Sequence, residues 1–353
     1  DAREAGVAGV RAIAPPDDDE VAGGIGRDRD LRLRSRDVTV DLLLPILLGL
    51  SLLVFLWIRA LPAGPAQSLL GERATPETIR QIEEQYGLNE PIHVQYWSYL
   101  KTLGKGDLGT TIRTRRPVTD ELKERFPATI ELTLAALLFA TLLGVPLGFV
   151  AAKRYGTWVD HSSLVISLIG ISIPIFFLAI LLKYVFAVKL GLLPTVGRIS
   201  VLIDLEHPTN FYLIDALIAG DPEAFWDVSK HLILPAIALG SIPLAITARI
   251  TRAAVLDVQN EDYIRTARAK GLPPRTVDMR HIFRNALLPI VTIIGLQTGL
   301  LLSGAVLTET VFAFPGMGTW LVEAIRQRDY AILQGGILFV SFVFVMVNLL
   351  VDI

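Results

Sequence analysis

The chain has 353 residues, of which 52% are hydrophobic and 19% are charged, whereas soluble proteins contain about 25% charged residues. The apolar excess is concentrated in stretches of about 20 residues, the length that crosses a bilayer core, which excludes a soluble enzyme with one packed core. The net charge of −2 gives no electrostatic case for nucleic-acid binding, and the lack of cysteine excludes disulfides and thiolate metal sites.

The first 41 residues form a polar segment without periodic apolar positions. An acidic run, 17–20, is followed by a series of arginines between Arg27 and Arg36. This composition predicts a polar cytoplasmic tail, 1–41, whose basic end lies beside the membrane.

The apolar stretches predict an all-α polytopic membrane protein with six spans in a domain covering 42–353. The spans are 42–61, 129–152, 163–187, 232–255, 286–308 and 333–353. The first is too long, and follows too long a polar leader, for a signal peptide. Lysine and arginine are enriched in the 153–162 and 256–285 connections, whereas the 188–231 connection is acidic. Because cytoplasmic loops are enriched in these cations, both termini are predicted to be cytoplasmic, with 188–231 as a solvated external loop.

The segment 62–128 is predicted to be an external helical insertion. Thr75, Pro76 and Glu77 give the pattern of a helix start, and Gly87 marks its end. A second short helix is predicted over 91–103. These are small external helices and not an enzymatic domain.

The sequence offers no catalytic constellation. It contains no phosphate-binding loop and no Gly-x-Ser-x-Gly or His-Glu-x-x-His pattern. Charged residues near span ends are interpreted as side chains that extend to the membrane surface; these are Arg59, Lys183, Arg249, Arg252 and Glu309. The spans lack a central acid or histidine of the kind that proton-driven transporters use. We therefore predict no catalytic residue, metal ligand or cofactor in this chain.

Small residues recur at helical spacing in two spans. Gly144 and Gly148 lie in the second span, and a similar series lies in the fifth. Small residues let helix backbones approach closely in lipid. The fifth-span series either packs within the chain or, with its polar neighbours, faces a translocation path or a partner subunit. The candidate path residues are Gly295, Gln297, Thr298, Gly299 and Ser303.

The 256–285 connection contains a short amphipathic helix that ends at Gly271. Acidic residues begin it and basic residues end it, as the helix dipole favours. Ile264, Ala267 and Gly271 fall on one face, whose small residues would allow close docking into a groove on another protein. A basic helix lying on anionic lipid is the alternative, and the residues alone leave both open.

This connection resembles the EAA coupling loop of bacterial ABC-importer permeases. Arg265-Thr266-Ala267-x-x-x-Gly271 occupies the Glu-Ala-Ala-x-x-x-Gly positions, with arginine in place of glutamate, and 287–289 matches the later Leu-Pro element. The form of 263–271 is similar to the dipeptide and oligopeptide branch. Further matches in order, over about 42–353, lie at 86–91, 106–109, 117–118, 127–132 and 309–318. Two departures are Ala63-Gly64-Pro65, where Gly-Asp-Pro is usual, and the long extension 1–36.

The resemblance implies a permease subunit of the cytoplasmic membrane that pairs with a homologous second permease. Two cytoplasmic ATPase subunits would bind ATP and Mg, and an external solute-binding protein would deliver dipeptides or oligopeptides for import by alternating access. Alternatives within the family are nickel, glutathione or antimicrobial peptides as solute. A secondary transporter or channel that works alone is the alternative of another class.

The resemblance also implies roles for particular residues. Coupling to the ATPases would involve Tyr263, Arg265, Thr266, Ala267, Arg268, Lys270, Gly271 and Pro289. An external gate or docking face would involve Glu309, Phe314, Pro315 and Gly316. The path would be lined near 297–303.

Overall fold

The computed structural model describes residues 45–60, 75–85, 87–111 and 114–351. The predicted tail, 1–41, and the Ala63–Pro65 departure lie outside these residues. Within them, regular structure is helical apart from an isolated antiparallel bridge between Thr110 and Pro117. The all-helical part of the fold prediction is therefore confirmed.

The helices are numbered here in chain order. They are α1 (Pro45–Ala60), α2 (Pro76–Gln85), α3 (Ile92–Gly104), α4 (Val118–Lys153), α5 (Trp158–Ser172), α6 (Ile175–Leu182), α7 (Tyr212–Ala219), α8 (Pro222–Gln259), α9 (Asp262–Ala269), α10 (Arg284–Gly304), α11 (Val306–Phe312), α12 (Met317–Gln327) and α13 (Tyr330–Val351). Two π-helical stretches, Lys183–Lys189 and Val277–Phe283, extend α6 and precede α10. Helices α2 and α3 lie where the sequence predicts them.

Four helical segments are long and apolar enough to cross a membrane: α4, α8, α10 with the helical turns before it, and α13. A fifth candidate is the pair α5 and α6, bent by 98°. The shorter apolar helix α1 lies within the first predicted span, and the residues on either side of it are outside the described ranges. The structure thus supports four or five spans, and the count of six stays a prediction.

The predicted third span, 163–187, is wrong as an uninterrupted helix. Helix α5 ends at Ser172, and α6 begins after Pro174. Ile173 has an extended backbone, with φ −81° and ψ 122°, because the proline ring disfavours the helical conformation of the residue before it.

Helices α4 and α8 form the most extensive helix pair, and glycine makes their close approach possible. A Cβ added at Gly148 would lie 2.3 Å from the carbonyl oxygen of Ala248. From the other side, a Cβ at Gly240 would lie 2.6 Å from the carbonyl oxygen of Ala136. The second-span glycines therefore pack within the chain.

The fifth-span glycines are covered by the last helix. A Cβ added at Gly295 would lie 2.6 Å from the methyl groups of Val351, and one at Gly299 would lie 3.2 Å from Oδ1 of Asn348. Both glycines therefore pack against α13 within the chain, as the first of the two interpretations expects; Gly299 is buried and Gly295 is half-buried. A place for either glycine along a path or at a subunit interface stays a prediction.

Two buried clusters lie at opposite ends of the α4–α8 pair. One contains Ala128 and Leu132 near the start of α4 together with Val228 and Phe314. The other contains Ala152 at the end of α4 together with buried residues of α8, α9 and the stretch before α10. The molecule therefore has two distinct ends, each built on the same two helices.

We expect Gly148→Ala to lower stability by about 1–3 kcal/mol, since the added methyl group meets backbone and cannot be accommodated by a side-chain rotation. Gly49→Ala is the matched control, because a Cβ there has nothing within 4 Å. The midpoint of thermal unfolding of the purified complex measures both. Equal midpoints for the two variants would contradict the close contact of α4 and α8.

Candidate functional site

Helix α9 ends in a hydrogen-bonded turn that requires a left-handed residue. Gly271 has φ +74°. Its N–H donates to the carbonyl of Arg268 at 3.0 Å, and the N–H of Leu272 donates to the carbonyl of Ala267 at 3.4 Å. This pair of bonds is a Schellman motif, in which glycine avoids the strain that a Cβ brings. The predicted end of the helix at Gly271 is confirmed.

The small-residue face of α9 packs against its own chain. Ile264 has no exposed surface, and Ala267 is buried beside it. Both lie in a cluster with Val255, Val277 and Ile282. The prediction that Ile264 and Ala267 dock into another protein is therefore wrong, because α8 and the stretch before α10 already cover that face.

Two polar contacts fix α9 and its neighbourhood to the candidate spans. Asn285 of α10 donates to the Tyr263 hydroxyl at 3.0 Å. Lys153, the last residue of α4, donates to Asp278 at 2.7 Å. The segment that contains Asp278 is π-helical, a geometry common at functional sites. Helix α9 is thus tied to α10, and the π-helical stretch that follows it is tied to α4.

The opposite face of α9 is open and basic. The exposed predicted coupling residues are Tyr263, Arg265, Thr266, Arg268, Lys270, Gly271 and, on α10, Pro289. Exposed apolar side chains, Leu272 and Met279, lie beside these cations. A surface of this composition suits a partner that offers acidic groups around an apolar centre.

A buried ion pair joins α5 and α8 near the same end. The Arg252 guanidinium donates to both carboxylate oxygens of Asp160, at 2.5 and 2.9 Å. Gly156 adds a backbone N–H to Asp160 at 3.0 Å. Arg252 is half-buried and its charge is neutralised by Asp160 within the chain, so its extension to the membrane surface stays a prediction.

Two other cations that are predicted to extend to the membrane surface, Lys183 and Arg59, make contacts within the chain. Lys183 donates to the carbonyl of Val311 at 2.8 Å. The Arg59 guanidinium lies 3.4 Å from the ring centre of Phe55 and donates to Gln95 at 2.8 Å. Arg249 is exposed.

Glu309 organises the other end of the molecule and is fully buried, which overturns its predicted exposure at the membrane surface. Thr129 of α4 donates to its carboxylate at 2.7 Å, and the Thr319 backbone N–H in the first turn of α12 donates at 3.0 Å. The N–H of Met317 donates to the Thr129 hydroxyl at 2.8 Å. A carboxylate at a helix N-terminus is favoured by the helix dipole. We call Glu309, Thr129 and the start of α12 the carboxylate clamp.

The loop 313–318 is shaped by the carboxylate clamp. A Cβ at Gly316 would lie 2.2 Å from the Glu309 carboxylate, and one at Gly318 would lie 2.6 Å from Cα of Val306. Burial raises the pKa of the Glu309 carboxyl, and the hydrogen bonds from Thr129 and the α12 backbone oppose that rise. The side chain of Phe314 is fully buried, and Pro315 is half-buried. Glu309 and Phe314 therefore hold this loop from inside and present no surface to an external protein.

A second buried ion pair anchors the 188–231 connection to α4. The Arg198 guanidinium donates to Glu131 at 2.6 Å and stacks on Tyr212 at 3.8 Å. The other Glu131 oxygen accepts the N–H of Leu213, in the first turn of α7, at 2.9 Å. Asp215 is also buried. The prediction of a solvated loop is wrong for these residues.

The remaining candidate path residues have separate surroundings. Gln297 is 4% exposed, and its Nε2 lacks a hydrogen-bond partner among the described residues. The Thr298 hydroxyl donates to the carbonyl of Ile294 at 2.9 Å. The side chain of Ser303 lies outside the described residues. Across the described ranges, no group of three acidic or histidine side chains is arranged to hold a metal ion.

The residues that sequence reasoning missed are the buried partners. Asp160 and Arg198 fall in predicted connections, and Thr129 and Glu131 fall at the start of the second predicted span, within the 127–132 match, where the sequence assigns them no contact. A signal was present for one of them, because Glu131 lies within a predicted apolar span, where an acid is costly unless paired.

We expect Gly316→Ala to lower stability by about 1–3 kcal/mol, because the added methyl group meets the Glu309 carboxylate. Shortening that side chain relieves the contact, so Glu309→Asp combined with Gly316→Ala should cost less than the sum of the two single substitutions. The midpoints of thermal unfolding of the purified complex with each single substitution and with both together measure this double-mutant cycle. Gly104→Ala, where a Cβ has nothing within 4 Å, is the control; strictly additive losses would contradict the contact.

Comparison with known proteins gives matches over most of the chain. Residues 144–353 match the family of binding-protein-dependent transport system inner membrane components, and residues 34–133 match the N-terminal region of such membrane components.

Individual relatives are similar in length and sequence. A dipeptide transport system permease protein of Alkalihalophilus pseudofirmus is 47% identical over 88% of this chain and 94% of its own length. That of Escherichia coli is 45% identical over 89% of this chain and 94% of its own length. A glutathione transport system permease protein of Escherichia coli is 40% identical over 88% of this chain and 92% of its own length.

The matches cover both the N-terminal and the C-terminal parts of the chain. The chain belongs to the family of binding-protein-dependent transport system inner membrane components, the permease subunits of ABC importers.

Proposed function

We propose that this chain is a permease subunit of an ATP-driven importer of dipeptides and short oligopeptides in the cytoplasmic membrane. The relatives named for dipeptide transport support the solute class. The observation that carries the mechanism is helix α9, which is held on one face by its own spans and is exposed and basic on the other.

ATP hydrolysis is proposed to take place on two partner ATPase subunits, which would bind ATP and Mg. Closure of the ATPases would push on the exposed face of α9. Since Lys153 and Asn285 tie this region to α4 and α10, the displacement would pass directly into helices that reach the other end. A homologous second permease would complete the path, and a solute-binding protein would deliver peptide from outside.

The proposed topology has six spans with both termini in the cytoplasm. Helix α9 and the 153–157 turn lie at one end of the α4–α8 pair, and α7 and α12 lie at the other. The basic end would face the cytoplasm, as the distribution of lysine and arginine favours.

Glutathione is the second candidate solute, because a relative named for its transport is 40% identical over 88% of this chain. Glutathione is itself a short peptide with a free carboxylate and amine. Competition between glutathione and a dipeptide for uptake by the reconstituted complex separates the two.

We expect Gly271→Val to abolish peptide uptake and the stimulation of ATPase activity by the binding protein, while membrane insertion is retained. A Cβ at Gly271 has open space around it, so the substitution acts by forcing the end of α9 out of the left-handed conformation. Gly271→Asn should retain most uptake, because asparagine tolerates that conformation.

Gly220→Val is the matched control, since Gly220 also ends a helix, has φ +66° and has nothing within 4 Å of its Cβ position. It lies at the other end of the molecule and should leave ATPase coupling largely intact. Full uptake by Gly271→Val, or equal uncoupling by both valine variants, would contradict the role of α9.

The lack of cysteine in the chain allows a direct test of sidedness. Exposed Arg275→Cys should react with a membrane-impermeant maleimide only after the membrane is opened, whereas exposed Glu223→Cys should react in intact cells. Labelling of both positions from the same side would overturn the topology.

A further inference from the structure

A cavity of about 400 Å³ lies between α4, α11 and α12, beside the carboxylate clamp. Its lining includes the polar and charged side chains of Arg125, Thr310, Glu323 and Arg326 as well as apolar ones. Two other cavities, one between α1 and α13 and one between α4 and α8, have almost entirely apolar walls. The volume of the cavity beside the clamp lies within the range of small-molecule sites, about 300–1,000 Å³.

Helix α12 has two faces, and one of them lines this cavity. Met317 and Ala324 are buried on the packed face, and Trp320, which is also buried, reaches the cavity wall. Glu323 and Arg326 are exposed and lie on the cavity side. Because they are three residues apart, their Cβ atoms are about 5–6 Å apart on the same side of the helix.

Arg125 brings a third charge from α4. It is half-buried, and its positive charge acts on the nearby Glu309 carboxylate. Neighbouring charges are already paired: Lys123 with Asp120 on the same helix, and Glu124 with Arg116, which precedes the helix. Within the described ranges Arg125 takes part in no ion pair, so its guanidinium is available to an incoming anion.

We propose that this cavity receives the two charged ends of a short peptide as it enters the path. Arg125 and Arg326 would bind the terminal carboxylate, and Glu323 would bind the terminal ammonium group. The backbone of an extended dipeptide spans about 7 Å, which is comparable to the separation of Glu323 and Arg326. The inference rests on the proposed function and adds a contact site for peptide termini within the permease itself.

The exposed position of the cavity favours brief, weak binding of the peptide over tight binding. Glu323 and Arg326 are exposed, and solvent screens such pairs, so each contributes weakly. A peptide that pairs weakly can leave again toward the path. Longer peptides would place only one charged end in the cavity at a time.

The experiment uses the complete complex in proteoliposomes: this chain, the second permease, both ATPase subunits and the binding protein. A dipeptide with a diazirine side chain is irradiated during turnover, and its adducts on this chain are located by mass spectrometry. Adducts are expected within 310–326 and should be lost in an excess of unlabelled dipeptide.

The substitutions Arg125→Gln and Arg326→Gln together should reduce the adduct yield about tenfold, the combined effect of losing two weak charge-assisted contacts. Glu323→Gln should also reduce it. Lys123→Gln is the matched control, because this exposed lysine lies on the same helix and outside the cavity lining. If the double variant fails to assemble, Glu323→Gln decides the test alone, since its side chain is exposed.

An unchanged adduct yield in these variants, or adducts only elsewhere on the chain, would overturn the inference. Weaker binding of the solute-binding protein with an unchanged adduct yield for each bound complex would overturn it in favour of a docking surface. Uptake of radiolabelled dipeptide by the unmodified complex distinguishes failure of the proposed function from failure of the cavity assignment. If that uptake is absent, the proposed function fails; if it is present and the variants behave like the unmodified complex, only the cavity assignment fails.

Discussion

The backbone contact between α4 and α8 is the constraint on which both ends of the molecule depend. Glycines at 144, 148 and 240 leave no room for a side chain between the helices. Close packing of this kind replaces the hydrophobic drive that lipid does not provide. At one end the pair supports α9 and the 153–157 turn, and at the other it supports α7 and the carboxylate clamp. A change in the angle between α4 and α8 would therefore move both ends together.

Most helices could be predicted from the sequence, because their signals are local. The apolar runs, the Thr75–Glu77 start and Gly271 each act within a few residues. Proline gave an ambiguous signal: Pro127, Pro146 and Pro235 lie inside helices, whereas only Pro174 among these four marks a break between helices. Membrane helices tolerate proline where neighbours satisfy the freed backbone groups, and those neighbours are distant in sequence.

The buried charges could not be predicted for the same reason. Asp160 and Arg252 are 92 residues apart, and Thr129 and Glu309 are 180 residues apart. Taken alone, Asp160, Arg252 and Glu309 each look like an exposed charge near the end of a span. Likewise, the spacing of Ile264 and Ala267 correctly predicts a common face but cannot tell whether the chain itself or a partner covers it.

The ion pair between Arg198 and Glu131 has a consequence for the order of assembly. Glu131 precedes Arg198 by 67 residues. During synthesis Glu131 is therefore made first and has no ion-pair partner until Arg198 has been added to the chain. An unpaired carboxylate in a dry environment is costly, so the start of α4 can be buried only once the connection that contains Arg198 has packed against it. This end of the α4–α8 pair therefore closes late in folding, after the chain has been made at least as far as Leu213, whose N–H binds the same carboxylate.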